Sequence, residues 1–80
     1  MSAVPIELSY PITVAGASVG VLSMRRPKVS DILVANRIKD DVEKEVSIFA
    51  NLCQVTPADI HALDYKDYRK LQETFLGFTS

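Results

Sequence analysis

The chain has 80 residues and a mass of 8.8 kDa, enough for one small domain and too little for a roomy enzyme cleft. Apolar residues make up 48% and charged residues 24%, an ordinary balance that excludes wholesale disorder. Nine Lys and Arg against ten Asp and Glu leave a formal net charge of −1, whereas nucleic-acid-binding domains of this size carry a basic excess. One cysteine, Cys53, cannot form an internal disulfide, which fits a reducing cytoplasm. No apolar run is long enough for a bilayer, and Met1-Ser2-Ala3-Val4-Pro5 lacks the pattern of a signal peptide. A core of this size is marginal, so a partner or self-association is expected to supply part of the burial.

Residues 4–26 carry β-type cues: Val and Ile enrichment, alternation, Gly turns and Pro punctuation. In Pro11-Ile12-Thr13-Val14, Ile12 and Val14 share a face. Ala15-Gly16-Ala17-Ser18 then reads as a short turn. In the following run, Val19, Val21 and Ser23 face one way, and Leu22 and Met24 the other. Two such runs around a Gly-containing turn predict a β-hairpin, which must dock its apolar face on something helical.

From Ser30 the period becomes helical. Ser30-Asp31 is expected to cap a helix carrying Ile32, Leu33, Ala35 and Asn36, and Ile38-Lys39-Asp40-Asp41 leaves its end open. Val42, Val46, Phe49, Ala50 and Cys53 then form one apolar stripe, predicting a helix from about Asp41 to Gln54. Its acidic start, Asp40 to Glu45, suits the helix dipole. Thr56-Pro57 reads as a cap followed by a proline in the first helical position, starting a short helix to about Leu63. Asp64 is expected to cap the last helix, with Asp67 completing a capping box and Gly77 terminating it. Tyr65, Tyr68, Leu71, Phe75 and Phe78 form its apolar stripe, mostly assigned to the core. The expected architecture is α+β, an N-terminal β-hairpin followed by three or four short amphipathic helices. Residues 1–80 form a single domain in this reading, with 1–27 the hairpin part and 28–80 the helical part.

The chemistry-bearing residues are sparse. Cys53 and His61 fall on either side of a helix break, with no orienting group or oxyanion site to make a nucleophilic pair. Cys53 lies on an apolar stripe and reads as a buried thiol, and His61 as a surface residue. One Cys and one His fall short of a zinc site, and the three glycines are scattered rather than gathered in a phosphate loop. No catalytic residue, metal or cofactor is expected. Ala50 to Ile60 imitates a helix-turn-helix, the basis of an alternative reading as a small DNA-binding regulator. Its would-be reading helix carries Asp59 and Asp64 and none of the side chains that pair with bases or phosphates. The basic cluster Arg25-Arg26-Pro27-Lys28 is either a solvated strand end or a docking patch for acidic groups, such as residues Asp40 to Glu45 of another copy.

The order of these elements resembles the phage tail assembly chaperones. Two blocks carry the likeness. The first is Tyr10-Pro11-Ile12, Gly16, Leu22, Arg25-Arg26-Pro27 and Ser30-Asp31-Ile32-Leu33. The second is Leu52 to Ile60, Leu63-Asp64, Asp67-Tyr68, Leu71-Gln72 and Gly77-Phe78. The resemblance implies a non-catalytic factor of the host cytoplasm that associates with the tape measure protein, keeps it soluble and helps recruit tail tube subunits. It also implies that a longer form can arise by ribosomal frameshifting. Leu71, Phe75, Leu76 and Phe78 are the expected contact residues, with Arg25, Arg26 and Lys28 as rim charges. Where such a chain is expected to have glycine after its long helix, this one has Gln54, which leaves that turn's conformation open.

Overall fold

The computed structural model describes residues 3–80; Met1 and Ser2, part of the stretch read for a signal peptide, lie outside the described residues. Two antiparallel strands, β1 (Ala3–Val14) and β2 (Ala17–Arg25), form the hairpin. Four helices follow: α1 (Val29–Ala35), α2 (Asp41–Cys53), α3 (Pro57–His61) and α4 (Tyr65–Thr79). The architecture is α+β, as the residue pattern implies.

The strands begin earlier and turn more tightly than the pattern suggests. β1 includes Pro5 and Pro11, which a two-stranded sheet accommodates because both strands are edges. The turn is the two residues Ala15-Gly16, with φ of 50° and 83°. Positive φ at both positions matches the right-handed twist of the strands, and glycine takes it without a Cβ penalty. Between the Glu7–Val21 and Ile12–Val19 pairs the register shifts, so Leu8-Ser9-Tyr10-Pro11 bulges opposite Gly20 alone. Leu22 and Met24 supply the core face of β2 while Val21 is exposed. Ile6, Leu8 and Ile12 supply that of β1.

α2 packs on β2, α4 on β1, and α1 and α3 both pack on α2. Phe49 is wholly buried in the middle of the core, with its ring 5.5 Å from that of Tyr68 and 5.7 Å from that of Phe75. Such tilted aromatic pairs each add about 0.5–1.5 kcal/mol beyond the area they bury. Cys53 lies in the same core, where burial pushes its thiol up to about 11.

The helix ends show which local signals operate. Asp40 caps α2 by accepting the Glu43 N–H at 2.9 Å. Thr56 and Asp59 exchange hydrogen bonds at the start of α3, with Pro57 in the first helical position. Three expectations need correction. The cap of α1 is Lys28 rather than Ser30-Asp31, which places Asp31 at the third helical position. Asp67 does not complete a box with Asp64, whose carboxylate takes the Lys66 N–H instead. Gly77 lies inside α4, which continues to Thr79.

Candidate partner-binding surface

Two buried aspartates hold the helices to the hairpin and decide which basic side chains stay free. Asp31 receives Arg25 on both carboxylate oxygens, at 2.9 and 2.8 Å, and the Lys28 N–H at 2.7 Å. The Asn51 amide from α2 also donates to it. The Arg25 guanidinium, opposed by burial and helped by the Lys28 amide, holds the Asp31 carboxyl below the usual carboxylate range. Arg25 therefore joins β2 to α1 in a bidentate pair and has a structural partner already.

Asp67 is wholly buried and reaches from α4 into the β1 bulge. It accepts the Ser9 N–H at 2.8 Å and the Tyr10 N–H at 3.0 Å, with Lys70 Nζ 3.1 Å away. Lys70 also donates to the Glu7 carbonyl and to Ser9 Oγ. Burial alone would raise the Asp67 carboxyl, but the two amides and Lys70 outweigh it and keep it lowered. Sequence reading gave Asp67 only a local capping role. The signal for more lies in Tyr10-Pro11, where a proline interrupts the ladder and leaves neighbouring amides to find another acceptor.

The contact residues expected from the sequence separate into three groups. Leu71 is wholly buried and has no surface to offer while this fold persists. Phe75 and Phe78 are half-buried against the core. Leu76, 63% exposed, faces water on the C-terminal part of α4. Arg26 lies beside this end of the helix, its guanidinium carbon 5.6 Å from the Phe78 ring centroid and its NH2 group 3.4 Å from the Phe78 carbonyl. At an exposed site such a cation–ring contact contributes about 0.5–1 kcal/mol. Lys28 is exposed two residues further on. Phe78 and Arg26 thus make an apolar and basic contact near the end of α4, with Leu76 exposed on a different side of the helix and Leu71 and Arg25 withdrawn.

The remaining polar groups are structural or solvated. Tyr68 Oη donates to Glu45 at 2.5 Å, and Gln72 donates to the same oxygen at 2.9 Å. Burial first, and then Glu45, raise the Tyr68 hydroxyl well above its ordinary value. His61, an exposed residue of α3, sits 2.9 Å from Glu43. Among the described residues, no three His, Cys, Asp or Glu side chains converge as metal ligands, and no helix is long and apolar enough to cross a membrane. The would-be reading helix α3 has five residues, and the Asp59 carboxylate is engaged by the Thr56 N–H.

The family of phage tail assembly chaperone proteins, E, or 41 or 14, matches residues 5–80. The chain belongs to that family. The match spans the bulge, the basic corner and all four helices, so the surface just described lies within the region the family shares. No curated protein and no solved structure matches the chain. Membership of a chaperone family points to action by binding rather than by catalysis during phage tail assembly.

Sequence reading also left some exposed apolar residues unassigned. Val29, Leu33 and Val34 of α1 are 76%, 62% and 64% exposed. Val29, Ile32, Leu33, Val34 and Ala35 are too many apolar residues for one face of a seven-residue helix, and that excess is the legible signal. Ala35 and Asp31 face inward, Ile32 is half-buried, and Val29, Leu33 and Val34 turn toward solvent.

Proposed function

We propose that this tail assembly chaperone binds the tape measure protein stoichiometrically, keeps it soluble and helps bring tail tube subunits to it. The full-length family match carries this reading. The exposed Leu76, the half-buried Phe75 and Phe78 and the neighbouring Arg26 and Lys28 support the choice of surface. An apolar helix of the client laid along the C-terminal part of α4 would bury Leu76 and the open side of the neighbouring Phe75, while Arg26 and Lys28 would face acidic groups at the rim. Arg25 and Leu71 are outside this contact because the fold already occupies them.

Co-expression with the tape measure protein tests the proposal. The expected result is a soluble complex that co-purifies, and a Leu76→Asp chain that folds normally and recovers much less of the client. A client that is equally soluble alone and never co-purifies would overturn the reading.

A further inference from the structure

The two outer edges of the hairpin are finished differently. On β1, Pro5 has no N–H to offer, the Glu7 carbonyl accepts Lys70 at 2.9 Å, and the Ser9 and Tyr10 amides are held by Asp67. β2 contains no proline and packs against β1 and α2. Among the described residues, no hydrogen bond from outside the hairpin reaches the backbone of Val21 or Ser23.

The register shows which groups β2 leaves open. Glu7 pairs with Val21, and Pro5 with Ser23. In an antiparallel ladder, pairs that exchange hydrogen bonds alternate with pairs whose backbone groups point outward. Glu7 and Pro5 belong to the outward set, since the Glu7 carbonyl turns to Lys70 and Pro5, two residues earlier, has no N–H for the ladder. Val21 and Ser23 therefore turn their own N–H and C=O groups away from β1 and into water. Their side chains are exposed as well. This edge runs into a basic cleft lined by Arg25, Arg26, Lys28 and Gln54. The one acid there, Asp31, is held on both oxygens by Arg25. Arg26 and Lys28 thus have no carboxylate partner among the described residues.

We propose that the outer edge of β2 takes up an extended segment of a partner protein as a third strand. The open backbone groups set the shape of the occupant, a strand without proline whose N–H and C=O groups meet those of Val21 and Ser23. The cleft sets its charge, with acidic residues at the end that reaches Arg26 and Lys28. Antiparallel addition, the stronger pairing per residue, puts those acids just ahead of the strand in the partner's sequence. The strand is a second contact beside that on α4, and it holds whether or not the client is the tape measure protein.

The test uses the full chain and a synthetic peptide of two Glu followed by alternating Thr and Val. Titrated into isotope-labelled protein, the peptide should shift the Val21 and Ser23 amide resonances first and slow their hydrogen exchange. Methylating the peptide nitrogens that face β2 should weaken binding by about tenfold or more, whereas methylating the alternate ones should not. Replacing the two Glu by Lys should weaken it several-fold, a difference that added salt removes. Ser23→Pro takes away an N–H that makes no ladder bond, so this variant should melt like the unchanged chain and lose the peptide. If it unfolds instead, the two methylated peptides decide with the protein unaltered. Absence of shifts at Val21 and Ser23 overturns the proposal, as does equal binding of the two methylated peptides or of the Glu and Lys peptides. So does slowed exchange of these amides in the chain alone as its concentration rises, because a second copy then fills the edge. None of these results bears on client binding through α4.

Discussion

Asp31 and Asp67 occupy equivalent places in two different corners of the molecule. Each is the third residue of its helix, three positions after the cap residue, and each is buried. Asp31 serves its own helix start by accepting the Lys28 N–H, and also holds Arg25 of β2. Asp67 gives nothing to its own helix start and sends both oxygens across to the β1 bulge. The difference lies in what each strand presents. β2 arrives with a charged side chain that reaches the acid while the local amide remains served. β1 arrives with two bare amides that no ladder partner can satisfy, and they take the whole carboxylate. A third-position aspartate is therefore a local cap or a tertiary clamp according to the unmet donors near it.

The largest separation between the corners is expected on removing one partner from each clamp. Asp67→Ala leaves the Ser9 and Tyr10 amides without their acceptor and Lys70 without its pair, and should destabilise by about 3–5 kcal/mol, as broken buried pairs do. Arg25→Ala should cost less, because Asp31 keeps the Lys28 amide and Asn51. Urea unfolding of both variants measures the ranking. Equal losses would contradict the distinction between a wholly buried clamp and a partly exposed one.

Acid should act on both corners in the same direction. Each carboxyl is lowered in the folded chain, so the stabilisation it contributes is present above the ordinary Asp range, near about pH 4. That contribution is lost as pH falls through the lowered folded values, because the unfolded chain takes up the protons first. Unfolding midpoints measured across this range should fall on acidification. Asp67→Asn should start lower at neutral pH and fall less steeply, since one of the two linked groups is gone.

Much of this arrangement was legible beforehand because it is local. The stripe on α2, the Thr56-Pro57 helix start and the hairpin all follow from period and capping chemistry within a few residues. The bulge was not, since Ser9 and Asp67 are 58 positions apart and neither has a periodic signature. Gly77 misled for a related reason. Glycine ends a helix where the chain must turn left-handed, but α4 has nothing that requires a turn there and continues past it. The binding edge was only partly legible. Periodicity places Leu71, Phe75 and Phe78 on one stripe, yet depth along α4 decides which are covered, and Leu76 lies off the stripe altogether.

The smallest expected effect concerns the turn that links α2 to α3. Gln54 stands at φ 57° and ψ 44°, the left-handed conformation that glycine adopts most easily. Its own N–H reaches the Asn51 carbonyl at 3.3 Å, and the Val55 N–H returns to the Ala50 carbonyl at 2.9 Å, so the helix end is satisfied despite the side chain. A left-handed residue with a Cβ costs about 1–2 kcal/mol, and glycine would relieve it. Glycine also gives the unfolded chain more freedom to lose, about 0.5–1 kcal/mol. Gln54→Gly should therefore stabilise by only about 0.5 kcal/mol, the remainder of those opposing terms. Thermal unfolding resolves the sign. A destabilised variant would mean that Gln54's side chain contributes something to the Arg25–Lys28 corner, whose cleft it lines, beyond filling a turn.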